Sequence, residues 1–147
     1  MKLSTRSRYG ARAMVELAAA YPSEAVSVKE LSGLMSVSVK YLEQILATLK
    51  GAGLVNAARG AAGGYAIARH PAEIRLSEVV SALEGSFALV NCIEDPQSCP
   101  MHGTCPTRDT WQELGDALLR TLDAITMQDL VDRKRMKCRP AALVYNI

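Results

Sequence analysis

Apolar residues recur at helical spacing along most of this chain, and turn-forming residues separate the runs. Met14, Leu17, Ala18 and Tyr21 predict the buried stripe of a first helix, starting near Ser4–Arg6 and ended by Pro22. Ser27-Val-Lys-Glu30 has the spacing of a capping box and opens a second helix over Val28–Met35. After a turn near Ser36-Val37, Ser38 is placed to cap a third helix running to about Lys50. In that helix Leu42, Ile45, Leu46 and Leu49 fall at i, i+3, i+4 and i+7, one buried row. Lys40, Tyr41, Gln44 and Thr48 therefore face elsewhere, with Glu43 at the border. Gly51 and Gly53 both permit the left-handed backbone that stops a helix. Leu54–Ala58 and Tyr65–Ala68 then read as two short strands around the tip Arg59-Gly-Ala-Ala-Gly-Gly64.

Farther on, Ala72–Gly85 predicts a fourth helix that buries Leu76, Val79, Val80 and Leu83. Ser86–Pro106 has no sustained periodicity. Pro106 opens a long helix to about Ile125, in which Trp111, Leu114, Leu118, Leu122 and Ile125 form a seam like that of a coiled coil. A second copy is the simplest cover for such a seam, giving a two-fold homodimer; packing within the same subunit is the alternative. Thr126-Met-Gln-Asp129 resembles the cap of a last short helix ending near Arg133. The predicted fold class is mainly α with a small β-hairpin wing: a winged helix-turn-helix plus a long dimerisation helix. Residues 1–85 are expected to form the winged helix-turn-helix domain and 86–106 a cysteine-containing loop. Residues 107–133 form the dimerisation helix and short helix, and 134–147 a basic, then apolar, tail.

Helix, turn, helix and hairpin is the order of a DNA-reading module. The third helix carries a cation, a phenol and an amide in its first turns, and an amide such as Gln44 pairs bidentately with adenine edges. Glu43 is suited to accept from cytosine or to repel a wrong phosphate path. Arg59 stands where a hairpin tip would push a guanidinium into a narrow minor groove, and Gly60, Gly63 and Gly64 permit close backbone approach. Arg6 and Arg8 are candidates for phosphate contacts, and Arg12 and Glu16 for an i, i+4 pair. Taken singly, each of these residues also suits solvated surface. A nucleotide-binding reading of the glycines fails, because they lead into the strand Tyr-Ala-Ile-Ala and not into a helix amino end.

Composition adds where such a module would act. The chain has 147 residues, nearly half of them apolar, with no run long enough to span a membrane. Met1–Arg12 holds four cations and no long apolar stretch, unlike a signal peptide, so a cytoplasmic protein is expected. Net charge is only +2, but it is divided unevenly. Residues 1–70 hold nine Lys and Arg against four Asp and Glu; residues 71–147 hold eight against eleven. A cationic front half suits DNA, and an acidic back half suits interaction.

Four cysteines in a cytoplasmic chain point to metal or redox chemistry more than to a disulfide framework. Cys92, Cys99 and Cys105 share one loop at spacing C-x6-C-x5-C. Three thiolates so placed suit an iron–sulfur cluster and, less well, a zinc ion; inert or disulfide-forming cysteines are the alternative. His102, Asp109 and Cys138 are the candidates for a fourth ligand. Cys138 lies among Arg133, Lys134, Arg135, Lys137 and Arg139, which also suits a reactive thiol. No paired carboxylates, nucleophile with base, or open zinc motif points to an enzyme.

Arg8-Tyr9, Tyr41-Leu42-Glu43-Gln44 and Gly53-Leu54-Val55 resemble one known pattern, as do Arg59-Gly60 with Gly63-Gly64-Tyr65 and the three cysteines before Trp111. Over roughly residues 1–133 the chain resembles the IscR/NsrR/RirA family of bacterial winged-helix transcription regulators. The resemblance implies a homodimer on a palindromic operator in double-stranded DNA, with crossed long helices holding the halves together. It carries DNA contacts to Arg8, Ser38, Lys40, Tyr41, Gln44, Arg59 and the Gly60–Gly64 tip, and cluster ligands to Cys92, Cys99 and Cys105. Members sense iron–sulfur status, nitric oxide, iron or redox state, some without a cluster. The cluster-assembly branch has a histidine three residues after the last cysteine, where this chain has Arg108; the carboxylate near the chain start in the nitric-oxide branch is missing, since no acid precedes Glu16. The implied function is a DNA-binding regulator, most simply a repressor, with a 2Fe–2S or 4Fe–4S cluster. The alternatives are a cluster-free thiol or metal switch and a protein-binding adaptor.

Overall fold

The computed structural model describes residues 3–22, 25–60 and 63–138. Helix α1 (Thr5–Ala19) starts at Ser4, whose Oγ accepts the Ser7 N–H at 3.1 Å, and the Ser4 N–H donates to Glu84 Oε1 at 2.7 Å. Met14, Leu17 and Ala18 are buried as expected. Tyr21 is not: the helix ends before it, leaving the ring 42% exposed and edge-on to His70. Helix α2 (Val28–Met35) is capped by Ser27, whose hydroxyl oxygen accepts the Glu30 N–H, and it ends at Ser36 in the left-handed region (φ 52°). Ser32 Oγ donates to the Val37 carbonyl, which fixes this turn into α3 (Val39–Gly51), capped by Ser38. Leu42, Ile45, Leu46 and Leu49 are all fully buried. Gly53, at φ 72°, supplies the left-handed residue after α3; Gly51 ends the helix in ordinary geometry.

Strands β1 (Val55–Ala58) and β2 (Gly64–Ile67) pair antiparallel, from Val55 opposite Ile67 to Ala58 opposite Gly64. Val26 bridges to Tyr65 through two backbone hydrogen bonds of 2.8 Å, so the hairpin is anchored to the segment that enters α2. A Cβ on Gly64 would run into the Val26 backbone, and one on Gly63 would lie 2.8 Å from the Gly60 carbonyl oxygen. These two glycines are therefore required by the protein's own packing, which sequence reading assigned to approach by DNA. Gly60, at φ 110°, is the tip residue that needs glycine for its backbone.

The predicted fourth helix is divided. Pro71–Glu73 is a 3-10 turn, Ile74 is extended, and α4 (Leu76–Glu84) begins after Arg75. The reason is a nonlocal pairing: the Ile74 carbonyl accepts the Met127 N–H, and the Leu76 N–H donates to the Ile125 carbonyl. Val79, Val80 and Leu83 are buried and Leu76 partly so. The segment 86–106 is not structureless; it holds α5 (Asn91–Glu94) and a 3-10 turn at Pro96–Ser98. Helix α6 (Arg108–Asp123) follows, and α7 (Met127–Lys137) runs beyond the end expected near Arg133. Met127 and Val131 join Met14, Leu31, Ile45 and Ile74 in one core, so α7 folds back on α1. Beyond Cys138, the predicted tail lies outside the described residues.

Candidate nucleic-acid interface and cysteine loop

Burying the apolar row of α3 leaves its other faces free to carry chemistry, since successive residues point about 100° apart around a helix. Lys40, Glu43 and Gln44 are exposed. Ser38 Oγ accepts the Tyr41 N–H at 3.3 Å, which leaves its hydroxyl proton for an outside acceptor. Tyr41 is half-buried, packed edge-on against Tyr9 with ring centroids 6.2 Å apart, so most of its body braces α3 against α1. Arg12 lies over the Tyr9 ring at 5.5 Å, and Glu16 pairs with Lys134 on α7. The i, i+4 pair expected between Arg12 and Glu16 is thus replaced by a local contact of Arg12 with Tyr9 and a long-range pair of Glu16 with Lys134. Arg6 donates to Thr48 Oγ1 and ties the start of α1 to α3. Arg8 and Arg59 are exposed, Arg59 beside Gly60 at the hairpin tip.

The cysteine loop hangs from α4 and leads into α6. All four cysteines are free thiols; Cys92, Cys99 and Cys105 are half-buried and Cys138 is exposed. Thr107 holds the Cys105 thiol below its ordinary range through side-chain and backbone hydrogen bonds, with the sulfur 3.4 Å from Thr107 Oγ1. His102 Nε2 is buried without a hydrogen-bond partner among the described residues. Asp109 is exposed and pairs with Arg108 at 3.4 Å. Cys138 lines a groove of α1, α2 and α7 to which the loop contributes nothing.

No group of three Cys, His, Asp or Glu among the described residues is gathered closely enough to hold a metal ion. Three reduced thiols and an imidazole nitrogen without a partner fit an iron–sulfur cluster by donor chemistry. The loop as folded does not draw them into a ligand set.

The expected seam on α6 is shared between two surroundings. Leu122 is buried inside the subunit, Ile125 is partly buried, and Ser77 Oγ on α4 donates to Asp123 at 2.7 Å. Gly115 is buried where a Cβ would lie 2.9 Å from the Phe87 carbonyl oxygen, so the loop crosses α6 closely there. Trp111, Leu114 and Leu119 remain 38%, 49% and 41% exposed, and Trp111 and Leu118 line a groove with Phe87 and Leu89. Sequence reading missed Leu119, which lies outside the single row it followed, and Phe87, which lies in the loop.

A protein-family model described as "Rrf2: Iron-dependent Transcriptional regulator" matches residues 3–133. The chain belongs to the Rrf2 family. Among its relatives it is 40% identical over 131 residues to Protein rrf2 of Nitratidesulfovibrio vulgaris, covering 89% of this chain and 87% of that one. The solved structure of T. potens IscR is similar with a TM-score of 0.81 at 31% identity, covering 99% of this chain and 96% of that one. The solved structure of CymR (YrzC), the global cysteine regulator of B. subtilis, is similar with a TM-score of 0.75 at 34% identity, over 90% and 98% of the two chains. This Rrf2-family chain is accordingly a DNA-binding transcriptional regulator, not an enzyme, built on a winged helix. Among the described residues, no helix is long and apolar enough to cross a membrane.

Proposed function

We propose that the chain is a sequence-specific repressor that acts in the cytoplasm and binds a palindromic operator as a homodimer. The observation that carries the DNA reading is the exposed row Lys40, Glu43 and Gln44 standing on four fully buried residues of the same helix. Held from beneath, α3 is a rigid rod that fits a major groove. Gln44 is assigned to an adenine edge, Lys40 to guanine or phosphate, and Glu43 to the cytosine amine. Arg8 and Ser38 take phosphates; Tyr41 mainly positions α3 through its packing on Tyr9, with its hydroxyl assigned to the DNA backbone. Arg59 with Gly60 enters the minor groove, and Gly63 and Gly64 shape the wing that delivers it. On an operator selected from a random duplex library, Gln44→Ala and Arg59→Ala are each expected to weaken specific binding by roughly 1–3 kcal/mol. Equal losses on random duplex would reduce the interaction to bulk charge.

Residues 86–106 are the sensor in this reading, with Cys92, Cys99 and Cys105 holding a 2Fe–2S or 4Fe–4S cluster and a fourth ligand drawn from His102 or Asp109; Cys138, the other candidate from the sequence, is set aside because it lines a groove apart from the loop. The family's description as iron-dependent supports it. When bound, such a cluster supplies chemistry sensitive to redox state, iron supply or nitric oxide. The chain's own part is mechanical. Phe87 abuts α6 at Gly115, Asp123 ties α6 to Ser77 on α4, and Leu83 of α4 abuts Gly10 on α1, which is tied to α3 through Arg6 and Thr48. A rearranged loop would be transmitted along these contacts to the spacing of two reader helices. Protein purified without oxygen should absorb in the visible and contain iron and sulfide, and Cys92→Ala should remove the colour. A colourless, iron-free product after reconstitution would eliminate the cluster while leaving the DNA reading intact. A cluster-free thiol switch is the second reading, favoured by the ungathered cysteines and the depressed Cys105 thiol.

A further inference from the structure

A groove of about 680 Å³ lies between α1, α2 and α7, on residues that neither the reader face nor the cysteine loop uses. Its apolar lining is Val15, Leu34, Met35 and Leu130. Its rim is cationic: Arg12, Arg133, Lys134 and Lys137. The lining contains one carboxylate, Glu16, which Lys134 already engages. Arg12, Arg133 and Lys137 have no ion-pair partner among the described residues. A basic helix surface would account for the rim alone. It does not account for Leu34, left 63% exposed beside Met35 at the end of α2.

An apolar lining beside an excess of cations is complementary to a molecule with an anionic head and an apolar body. The volume falls within the range of small-molecule sites, roughly 300–1,000 Å³. We propose that this groove binds a free single-chain carboxylate amphiphile, a medium- to long-chain fatty acid. Arg133 and Lys137 hold the head, and the chain lies along Leu34, Met35, Val15 and Leu130. A groove lined from three helices suits a monomeric amphiphile, whereas membrane binding uses one broad apolar face of a single helix. Met35 directly precedes Ser36, the left-handed residue that sets α3 against α2, so the bound chain would touch the joint of the helix-turn-helix. The inference does not rest on the proposed operator or cluster, because binding is measured without either.

The test titrates the reduced full-length protein with saturated carboxylates of about 8–16 carbons, kept below micelle formation, against alcohols of the same length. Calorimetry gives the affinity, and the alkylation rate of Cys138, read by peptide mass spectrometry, reports on the groove it lines. The carboxylates should slow Cys138 alkylation and gain up to roughly four-fold in affinity per methylene. The alcohols, lacking the charged head, should bind about ten-fold more weakly. Arg133→Glu with Lys137→Glu should cost about ten-fold, and Leu34→Gln should weaken binding without unfolding, since all three side chains are exposed. Equal binding of acid and alcohol, affinity unchanged in these variants, or unprotected Cys138 would overturn the proposal. So would absence of binding with a changed sedimentation coefficient in the charge-reversed variant, which would assign the groove to a second copy. Binding seen only after removal of residues 139–147 would assign it to the chain's own segment, and would likewise overturn it.

Discussion

Helices α3 and α6 are both amphipathic and of similar length, yet they are covered in opposite ways. On α3 the whole apolar row is at 0% exposure, and the polar faces look outward. On α6 only Gly115 and Leu122 are buried, while Trp111, Leu114 and Leu119 stay open beside a groove of loop residues. An apolar row at helical spacing states how much surface must leave water, not what will cover it. For α3 the cover is α1, α2 and α4 of the same chain. For the open side of α6 a second copy is the cover proposed here.

The largest expected effect tests the closed helix. Leu46→Ala removes a fully buried side chain from the core and should cost about 2–5 kcal/mol in urea unfolding, independent of protein concentration. Next comes the open helix: Leu114→Ala and Trp111→Ala should each weaken dimerisation by about 2 kcal/mol in sedimentation equilibrium, if they are central anchors. Stability extrapolated to dilute protein should stay near that of the parent. An oligomeric state that ignores both changes would mean that α6 is finished inside its own subunit.

A smaller loss separates packing from DNA approach in the wing. Gly64→Ala places a methyl group against the Val26 backbone, which cannot rotate away, and should cost about 1–3 kcal/mol of stability in the absence of DNA. Unchanged stability with reduced operator affinity would return Gly64 to the DNA face.

The least effect is expected at the seam of α1 and α4. Hydrogen bonds from Ser7 and Ser4 hold the Glu84 carboxyl below its ordinary range. A carboxyl lowered on folding stabilises above its unfolded pKa, near 4.5, and loses that contribution as pH falls through its lower folded value. Glu84→Gln should therefore lower the melting temperature slightly at neutral pH, with the difference from the parent vanishing in acid. A difference independent of pH would point to lost packing.

Much of the reader module was legible because its signals are local. Ser27 and Ser38 cap the helices they precede, and a cap needs only the next few N–H groups. The i, i+3, i+4, i+7 row of α3 is buried to the last residue. Legibility failed where the partner came from elsewhere in the chain. Ile74 leaves helical geometry because Met127 donates to its carbonyl, so a continuous helical pattern is broken into two elements. Glu16 turns to Lys134, 118 positions away, and no i, i+4 rule anticipates that.

The amino-acid order by itself determined the helices of the reader module, the serines that cap them, and that three thiols share one short loop. The folded chain decided which apolar faces those helices cover for one another, that Gly64 is held by Val26, and that Cys138 belongs to a groove apart from the other cysteines. The division follows the range of the forces. Caps and helical periodicity act within a turn or two, whereas burial depends on which surfaces meet, and that is settled only when distant segments pack.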